Sequence, residues 1–216
     1  MVAAITNTAT LQATVYEAPT STLELEPTPT EVPEWVNDFV EPIRTLASEH
    51  FPNLADSFED EFSTRGRWLD TSHYPPQSIK YQNEMLRLSN VQLPWTFWYT
   101  DYVMEFSWRL EREELDRWSF YVRNGEAAIV FHEDHMEIVT TPRDHNEYYF
   151  EPSDEMNHTM IIVKDESMAV IINDLPVYYG NFLPTEWKSG ESFFGVNEST
   201  ILIDDVQIWN LNDLRR

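Results

Sequence analysis

The sequence predicts an all-β fold, an antiparallel sandwich of two sheets, and three observations support this prediction. From residue 58 onward, apolar and polar residues alternate with a period of two, as they do in half-buried strands. Turn-forming pairs such as Asn124–Gly125 and Asn173–Asp174 separate the alternating segments. Helical patterns do not alternate with these segments, so an α/β fold with a parallel sheet is not expected.

The first 33 residues predict a linker without fixed structure. Ala, Thr, Glu and Pro dominate the segment, which ends in Pro27, Pro29 and Pro33. This composition buries too little apolar surface to offset the entropy lost on ordering the chain. A spacer that holds the next domain away from a cell surface and a tail without a role are both compatible with it.

Residues 34–50 predict an N-terminal helix. Apolar residues recur at helical spacing from Trp35 to Ala47 and form one stripe. Pro33 suits the first helical turn, whereas Pro42 lies inside the stripe and should kink the helix. We expect the stripe to pack on the β-sandwich domain, which is predicted over residues 51–216.

Nine segments of that domain predict strands. In the clearest one, Tyr102–Leu110, the residues Met104, Phe106 and Trp108 share one face. The other eight share the same short, apolar character: 118–122, 127–131, 135–140, 147–150, 159–164, 168–172, 192–196 and 201–209. The side chains expected in the core are Met104, Phe106, Trp108, Phe120, Val122, Ile161, Val163, Val170 and Ile172.

Charge and composition exclude several classes of partner and site. The chain has 38 acidic and 14 basic residues and a formal charge of -24, so nucleic acid and anionic membranes are not expected as partners. The absence of cysteine excludes disulfides, thiolate metal sites and a thiol nucleophile. No apolar run approaches the ~18 residues that span a bilayer. No Lys or Arg precedes Arg44, so no ordinary signal peptide is visible, and we expect the chain to be part of a longer protein.

Three stretches together carry a family resemblance. They are Ser57–Ser63 (SFEDEFS) followed by Trp68, the hairpin His158–Val177, and the closing segment Ser192–Trp209 with its Asp-Asp-Val step. In this order and spacing they resemble the concanavalin A-like lectin and glucanase sandwiches, including bacterial laminin-G-like and 3-keto-disaccharide hydrolase-like domains. The resemblance covers residues 34–210 and implies a jelly-roll sandwich. It also implies an extracytoplasmic or cell-surface location in a membrane-anchored or secreted bacterial protein. Lectins, hydrolases and inert spacers all occur in the family.

Aromatic residues are the strongest candidates for binding. Sugar rings stack on exposed aromatic planes, while nearby polar side chains bind the hydroxyl groups. We expect at least two of the candidates to line one groove, with core packing as the alternative role for each. The candidates for carbohydrate binding are Trp95, Trp98, Tyr99, Trp118, Tyr149 and Trp187.

The segment Glu133–Glu137 (EDHME) is the candidate for catalysis. The resemblance implies a nucleophile Glu, a helper Asp and an acid Glu along one strand, and Glu133, His135 and Glu137 would share a face in the same way. Residues four apart on a regular strand lie about 13 Å apart, whereas retaining glycosidases need carboxyl groups within about 5.5 Å. A glycoside hydrolase using Glu133 and Glu137 is therefore an alternative rather than the leading function.

Metal binding has two candidate locations. The first is a transition-metal site formed by His132, Glu133, Asp134 and His135, but on a regular strand the two histidines would point to opposite faces, which disfavours a shared ion. The hard oxygen ligands that calcium needs lie on the first and last predicted strands, which we expect to be adjacent. These ligands are Glu59, Asp60, Asp204 and Asp205. Their carboxylates bind either a structural calcium ion or backbone amides, and no other cofactor is expected.

Together these observations predict a non-catalytic, extracytoplasmic module that recognises a glycan or a cell-surface polysaccharide. The glycoside hydrolase and an inert structural spacer are the alternatives. The sequence does not identify the sugar or the oligomeric state.

Overall fold

A computed structural model describes a large part of the chain. The described residues are 32–50, 75, 77–82, 85–94, 99–111, 117–125, 127–140, 144–181 and 192–211. All of them belong to one of the two units into which the chain divides, Val32–Arg216. Most of the predicted linker and the whole predicted opening strand lie outside the described residues, so those two predictions are not tested.

Within the described residues the fold consists of one helical segment followed by antiparallel strands. A π-helical turn over Val36–Val40 leads directly into α1 (Glu41–His50). The strands are β1 (Ile79–Gln82), β2 (Met85–Pro94), β3 (Tyr102–Glu111), β4 (Trp118–Val122), β5 (Ala127–Phe131), β6 (His135–Thr140), β7 (Asp144–Tyr149), β8 (Asn157–Lys164), β9 (Ser167–Ile172), β10 (Leu175–Asn181) and β11 (Phe193–Asn210).

The eleven described strands form one continuous hydrogen-bonded network, which folds into two packed sheets that share β2 and β11. The first sheet has the order β10-β9-β8-β3, and β3 pairs with residues 200–210 of β11. The second sheet begins with residues 193–195 of β11 and continues β4-β5-β6-β7. Strand β2 follows β11 through both parts, with a register shift between Val196 and Thr200. Every described pair is antiparallel, which confirms the predicted fold class.

The core lies between the two sheets. Alternate residues of β3 and β4 point inward, so that Phe106 meets Trp118 with ring centroids 5.9 Å apart. Trp108 likewise meets Phe131 of β5 at 5.3 Å. All nine side chains predicted for the core are buried: Met104, Phe106, Trp108, Phe120, Val122, Ile161, Val163, Val170 and Ile172.

The outer face of the first sheet is also apolar, because the N-terminal helical segment covers it. Val36, Val40 and Ile43 form a second buried cluster with outward-facing residues of β3, β8 and β9 such as Val103 and Ile162. Strands buried on both faces need continuous apolar runs, which explains why β8 and β9 lack clean alternation.

Pro42 lies where the helical segment changes from a π-helical turn to the α-helix. It is the second residue of α1, and the π-helical turn ends two residues before it. The N–H of Glu41 donates to the carbonyl of Val36, a wider i to i−5 bond. Proline can neither donate a backbone bond nor tolerate the carbonyl one turn earlier. The helical segment therefore accommodates Pro42 by widening the turn that precedes it, Val36–Val40, and regular α-helix begins at Glu41.

A buried ion pair between Arg123 and Asp101, which we call the clasp, lies at one end of the sandwich. The guanidinium of Arg123 lies 3.2 Å from Asp101 Oδ1, and the two side chains are only 2% and 4% exposed. Arg123 also donates to the carbonyl oxygens of Thr100 and Asp165, and Asp101 Oδ1 accepts from the N–H of Asp165. The clasp thus joins the start of β3, the end of β4 and the β8–β9 turn.

Candidate functional site

The turn between β5 and β6 organises the opposite end of the sandwich. Strand β5 ends at Phe131 and β6 begins at His135, and the N–H of His132 donates to the carbonyl of His135 at 2.8 Å. The chain therefore reverses over Glu133 and Asp134. His132 and His135 face each other across this hairpin, on the outer face of the second sheet. The expectation that they point to opposite faces was wrong, because it treated the segment as one straight strand.

The two imidazoles are held in a defined arrangement. Their rings stack with centroids 4.1 Å apart and planes 5° from parallel. The Nε2–H of His132 donates to Glu137 Oε1 at 3.1 Å, and the Nδ1–H of His135 donates to Asp134 Oδ1 at 2.8 Å. The second of these bonds lowers the pKa of the Asp134 carboxyl, because it stabilises the carboxylate.

Strand β7 completes this surface, which we name the β5–β7 patch: His132, His135, Glu137, Glu147 and Tyr149. In the β6–β7 register, Tyr149 lies opposite His135 and Glu147 lies opposite Glu137. The Tyr149 side chain is 70% exposed, and its hydroxyl donates to Glu147 Oε2 at 3.0 Å. That hydrogen bond raises the pKa of Tyr149. The patch therefore presents an aromatic ring to solvent among carboxylates and imidazoles.

A pocket of about 360 Å³ lies at the same end of the sandwich. The N–H of Phe150 donates to the carbonyl of Asp134 at 3.1 Å and ties the β7–β8 loop to the β5–β6 turn. Ser153 of that loop donates its N–H to Oδ1 of Asn157, the first residue of β8, at 2.9 Å. Apolar and polar side chains both line the pocket: Trp108, Leu110 and Pro152, with Arg109, Glu133, Ser153, Asp154 and Asn157.

The structure separates the predicted aromatic candidates. Tyr149 is exposed on the β5–β7 patch, whereas Tyr99 packs partly buried against the core just before β3, toward the opposite end. Trp118 is 1% exposed and stacks on Phe131 with centroids 4.3 Å apart, so its prediction as a binding residue is corrected: β4 points the ring inward. Trp95, Trp98 and Trp187 lie outside the described residues.

The two candidate catalytic carboxylates do not share a strand face. Glu133 lies in the β5–β6 turn and lines the pocket, while Glu137 lies on β6 and pairs with His132. The expected arrangement of Glu133, His135 and Glu137 along one strand is therefore corrected. Its physical reason is the same chain reversal that brings the two histidines together.

The predicted calcium ligands are described only in part. Asp204 and Asp205 lie where the β3–β11 register shifts, and Asp205 has a φ of 52°. The N–H of Asp205 donates to Asp204 Oδ1 at 2.9 Å, and Ser107 Oγ donates to Asp205 Oδ2 at 3.5 Å. Glu59 and Asp60 lie outside the described residues. The approach of the first and last strands stays a prediction.

Comparison with known proteins shows the fold. No protein-family model matches the chain, and no curated protein matches it. A sialidase structure is similar over 70% of this chain and 18% of its own, with 12% identity and a TM-score of 0.52. Alginate lyase A1-II′ is similar over 63% of this chain and 85% of its own, with 11% identity and a TM-score of 0.50. The carbohydrate binding module CBM66 from Bacillus subtilis covers 60% of this chain and 89% of its own at 10% identity, with a TM-score of 0.48.

The similarity to the sialidase and to the alginate lyase, at TM-scores of 0.52 and 0.50, defines the fold of this chain. It is a concanavalin A-like jelly-roll sandwich, as the sequence resemblance implied. Among the described helices, none is long and apolar enough to cross a membrane.

Proposed function

We propose that this protein is a non-catalytic glycan-binding module that works outside the cytoplasm or at a cell surface. The observation that carries the proposal is that the pocket and the β5–β7 patch, with its exposed Tyr149 ring, both border the β5–β6 turn. Glu133 of that turn lines the pocket, and its neighbours His132 and His135 belong to the β5–β7 patch.

The pocket has the chemistry that a sugar requires. Its volume of about 360 Å³ is in the ~300–1,000 Å³ range of small-ligand sites. Leu110 and Pro152 offer apolar surface to the C–H faces of a sugar ring, whereas Trp108 is buried behind the pocket wall. Arg109 donates hydrogen bonds, while Glu133 and Asp154 accept them, so hydroxyl groups can be bound from both sides. The exposed ring of Tyr149 adds a stacking plane outside the pocket.

The similar structures support the same ligand class. An alginate lyase and a sialidase share the fold. A shared fold alone does not define a ligand, but it makes glycans the first class to test. A shallow site of this kind binds weakly, and we expect a dissociation constant of micromolar to millimolar order.

A glycan array probed with the full chain tests the proposal, followed by titration calorimetry with the best glycan. Glu133→Gln, Asp154→Asn and Tyr149→Ala should each weaken binding without changing the melting temperature, because all three side chains are exposed. Glu166→Gln in the β8–β9 turn is the matched control and should bind as the unaltered chain does. Absence of binding to any glycan, or pocket variants that bind like the control, would contradict the proposal.

A structural calcium ion between Glu59 or Asp60 and the pair Asp204–Asp205 is a separate proposal. The adjacent carboxylates of Asp204 and Asp205 at the β11 register shift support it, whereas the hydrogen bond from the Asp205 N–H to Asp204 Oδ1 fits the amide-bonded alternative. Calcium at a hundredfold excess over its dissociation constant should add about 2.7 kcal/mol to the free energy of unfolding. A melting temperature that chelation leaves unchanged would favour the amide-bonded alternative.

A further inference from the structure

We infer that His132, His135 and Glu137 form a binding site for a divalent transition-metal ion, with Zn²⁺ as the probe. Each side chain offers one ligand atom, and the three atoms lie within 4.8 Å of one another. These residues also belong to the β5–β7 patch, but the inference does not require glycan binding, because the three ligands can bind an ion with no sugar present.

The hairpin backbone fixes where the ligands start. Phe131 and Met136 pair across β5 and β6, and both are fully buried in the core. Each histidine is next in sequence to one of these anchored residues, and Glu137 follows Met136. The Cβ positions of all three ligands are therefore set by packing before any metal arrives, which lowers the ordering cost of binding.

The hydrogen bonds of the two imidazoles bear on which nitrogen each ring can offer to a metal ion. Because Nδ1–H of His135 donates to Asp134 Oδ1, the lone pair of this ring is on Nε2. Metal-bound histidines commonly have this carboxylate partner on the other ring nitrogen. His132 Nε2 and Glu137 Oε1 are 3.1 Å apart. Two ligand atoms on a tetrahedral zinc at ~2.0–2.1 Å are about 3.3 Å apart, so a metal fits between this pair with little movement.

Binding requires two local changes. His132 can bind the ion through Nε2 only after its proton has moved from Nε2 to Nδ1, and proton exchange with water achieves this. The stacked rings must also rotate so that their planes converge on the ion, because they now lie parallel at 4.1 Å. The side chains of His132 and His135 are 20% and 22% exposed, so solvent borders both and leaves room for rotation.

The ligand set selects the class of ion. Imidazole nitrogen suits zinc, copper and nickel, whereas calcium and magnesium prefer oxygen ligands throughout. The formal charge of -24 raises the local concentration of any cation. Three protein ligands leave at least one coordination position for water or an added ligand, on the surface beside Tyr149.

Titration calorimetry of the untagged full chain with Zn²⁺ tests the inference. We expect one ion per chain, no competition from Ca²⁺, and affinity at least about tenfold lower in His132→Ala and His135→Ala. His158→Ala, which removes a partly exposed histidine from the first sheet, is the matched control and should keep the affinity. Asp134→Asn should weaken binding about 10–100-fold through the orientation of His135 alone.

Nuclear magnetic resonance of the imidazole nitrogens supplies a second readout. Zn²⁺ should shift Nε2 of both His132 and His135 while His158 stays unchanged. Glu137→Gln, which conserves side-chain shape, replaces any histidine variant that fails to fold. The inference is overturned if the folded chain binds no Zn²⁺, if the double variant His132→Ala/His135→Ala keeps the affinity, or if His158→Ala loses as much as the others.

Discussion

Trp108 and Trp118 meet edge to face in the core with ring centroids 5.2 Å apart, yet their indole N–H groups are satisfied differently. Trp108 Nε1 donates to Thr159 Oγ1 at 2.9 Å. Trp118 Nε1 is buried and has no acceptor among the described residues. Each side chain is 1% exposed, so the two differ in hydrogen bonding rather than in burial. A buried donor without a partner costs about 1–3 kcal/mol.

This difference predicts unequal effects of the same substitution. Trp108→Phe should lower the free energy of unfolding more than Trp118→Phe, by about 1–3 kcal/mol. Both variants lose the same volume, but only Trp108→Phe leaves the buried Thr159 hydroxyl without its donor. Trp118→Phe instead removes an unsatisfied group. Urea unfolding of the two variants measures the difference, and equal losses would contradict the prediction.

The Arg123–Asp101 clasp predicts a large loss when one partner is removed. Arg123→Met should lower the free energy of unfolding by about 3–5 kcal/mol, because the Asp101 carboxylate stays buried without its cation. Arg44→Met is the control, since the Arg44–Glu41 pair is half exposed and should contribute only about 0–1 kcal/mol. Chemical denaturation of both variants decides the matter, and similar losses would show that the clasp is not the cause.

Because the N-terminal helical segment covers the outer face of the first sheet, we expect a charge introduced on its buried side to detach the segment. Val40→Asp should detach the N-terminal helical segment, because Val40 is fully buried against β3, β8 and β9. The exposed apolar strands should then bind a hydrophobic dye and promote aggregation. Asn37→Asp adds the same charge at an exposed position one turn earlier and serves as control. Dye fluorescence and light scattering should rise in the first variant alone; a rise in both would refute the prediction.

The raised pKa of His158 predicts that this residue contributes to the stability of the fold in a pH-dependent way. Its polar contact with the Glu105 carboxylate, 3.7 Å from Nε2 to Oε2, raises the pKa of His158 above 6.5, and nearby carboxylate charges add to the increase. A raised pKa in the folded state means that protonation stabilises the fold. The contribution is complete below pH 6.5 and is lost as pH rises through the folded-state pKa.

Glu105→Gln tests this contribution. The variant should be less stable than the unaltered chain at about pH 6, and the gap should narrow by about pH 8. The effect should be small, because the His158 side chain is 45% exposed. A titration of the His158 ring by nuclear magnetic resonance should give a lower pKa in the variant. An unchanged pKa would exclude Glu105 as the cause.

Strands with one or two clearly buried faces could be predicted from the sequence. The alternation of Met104, Phe106 and Trp108 defines β3, and the apolar run of β8 follows from burial on both faces. Strands β1, β2 and β10 were not predicted. In β2 the alternation of the buried Leu86 and Leu88 with partly exposed neighbours was present in the sequence but was missed. The residues of β10 are mostly partly exposed and include Pro176 and Gly180, so they show no such pattern. Burial creates the pattern that sequence reasoning detects, so a peripheral strand leaves little signal.

The candidate site was predictable only in pieces. The strands 127–131 and 135–140 were both predicted, and the three residues between them imply a hairpin that places His132 opposite His135. The Glu133–Asp134 turn lacks the Asn-Gly or Asp-Gly that marks such hairpins most strongly. Trp118 shares its strand parity with the core residues Phe120 and Val122, so its burial was also inferable. The pocket depends on the β7–β8 loop, whose path no local pattern specifies.

Strand β11 has a consequence for how fast the protein can fold. It pairs with β3 in one sheet and β4 in the other, and both partners precede it in the chain. Until residues 193–210 arrive, β3 and β4 each expose an unpaired edge, and neither sheet has its central strand. Long segments must be closed to bring Val91 to Val196 and Leu88 to Ile201, and such distant pairings make folding slow, on the order of milliseconds to seconds. During that interval the open edges of β3 and β4 are the places where two refolding chains would associate.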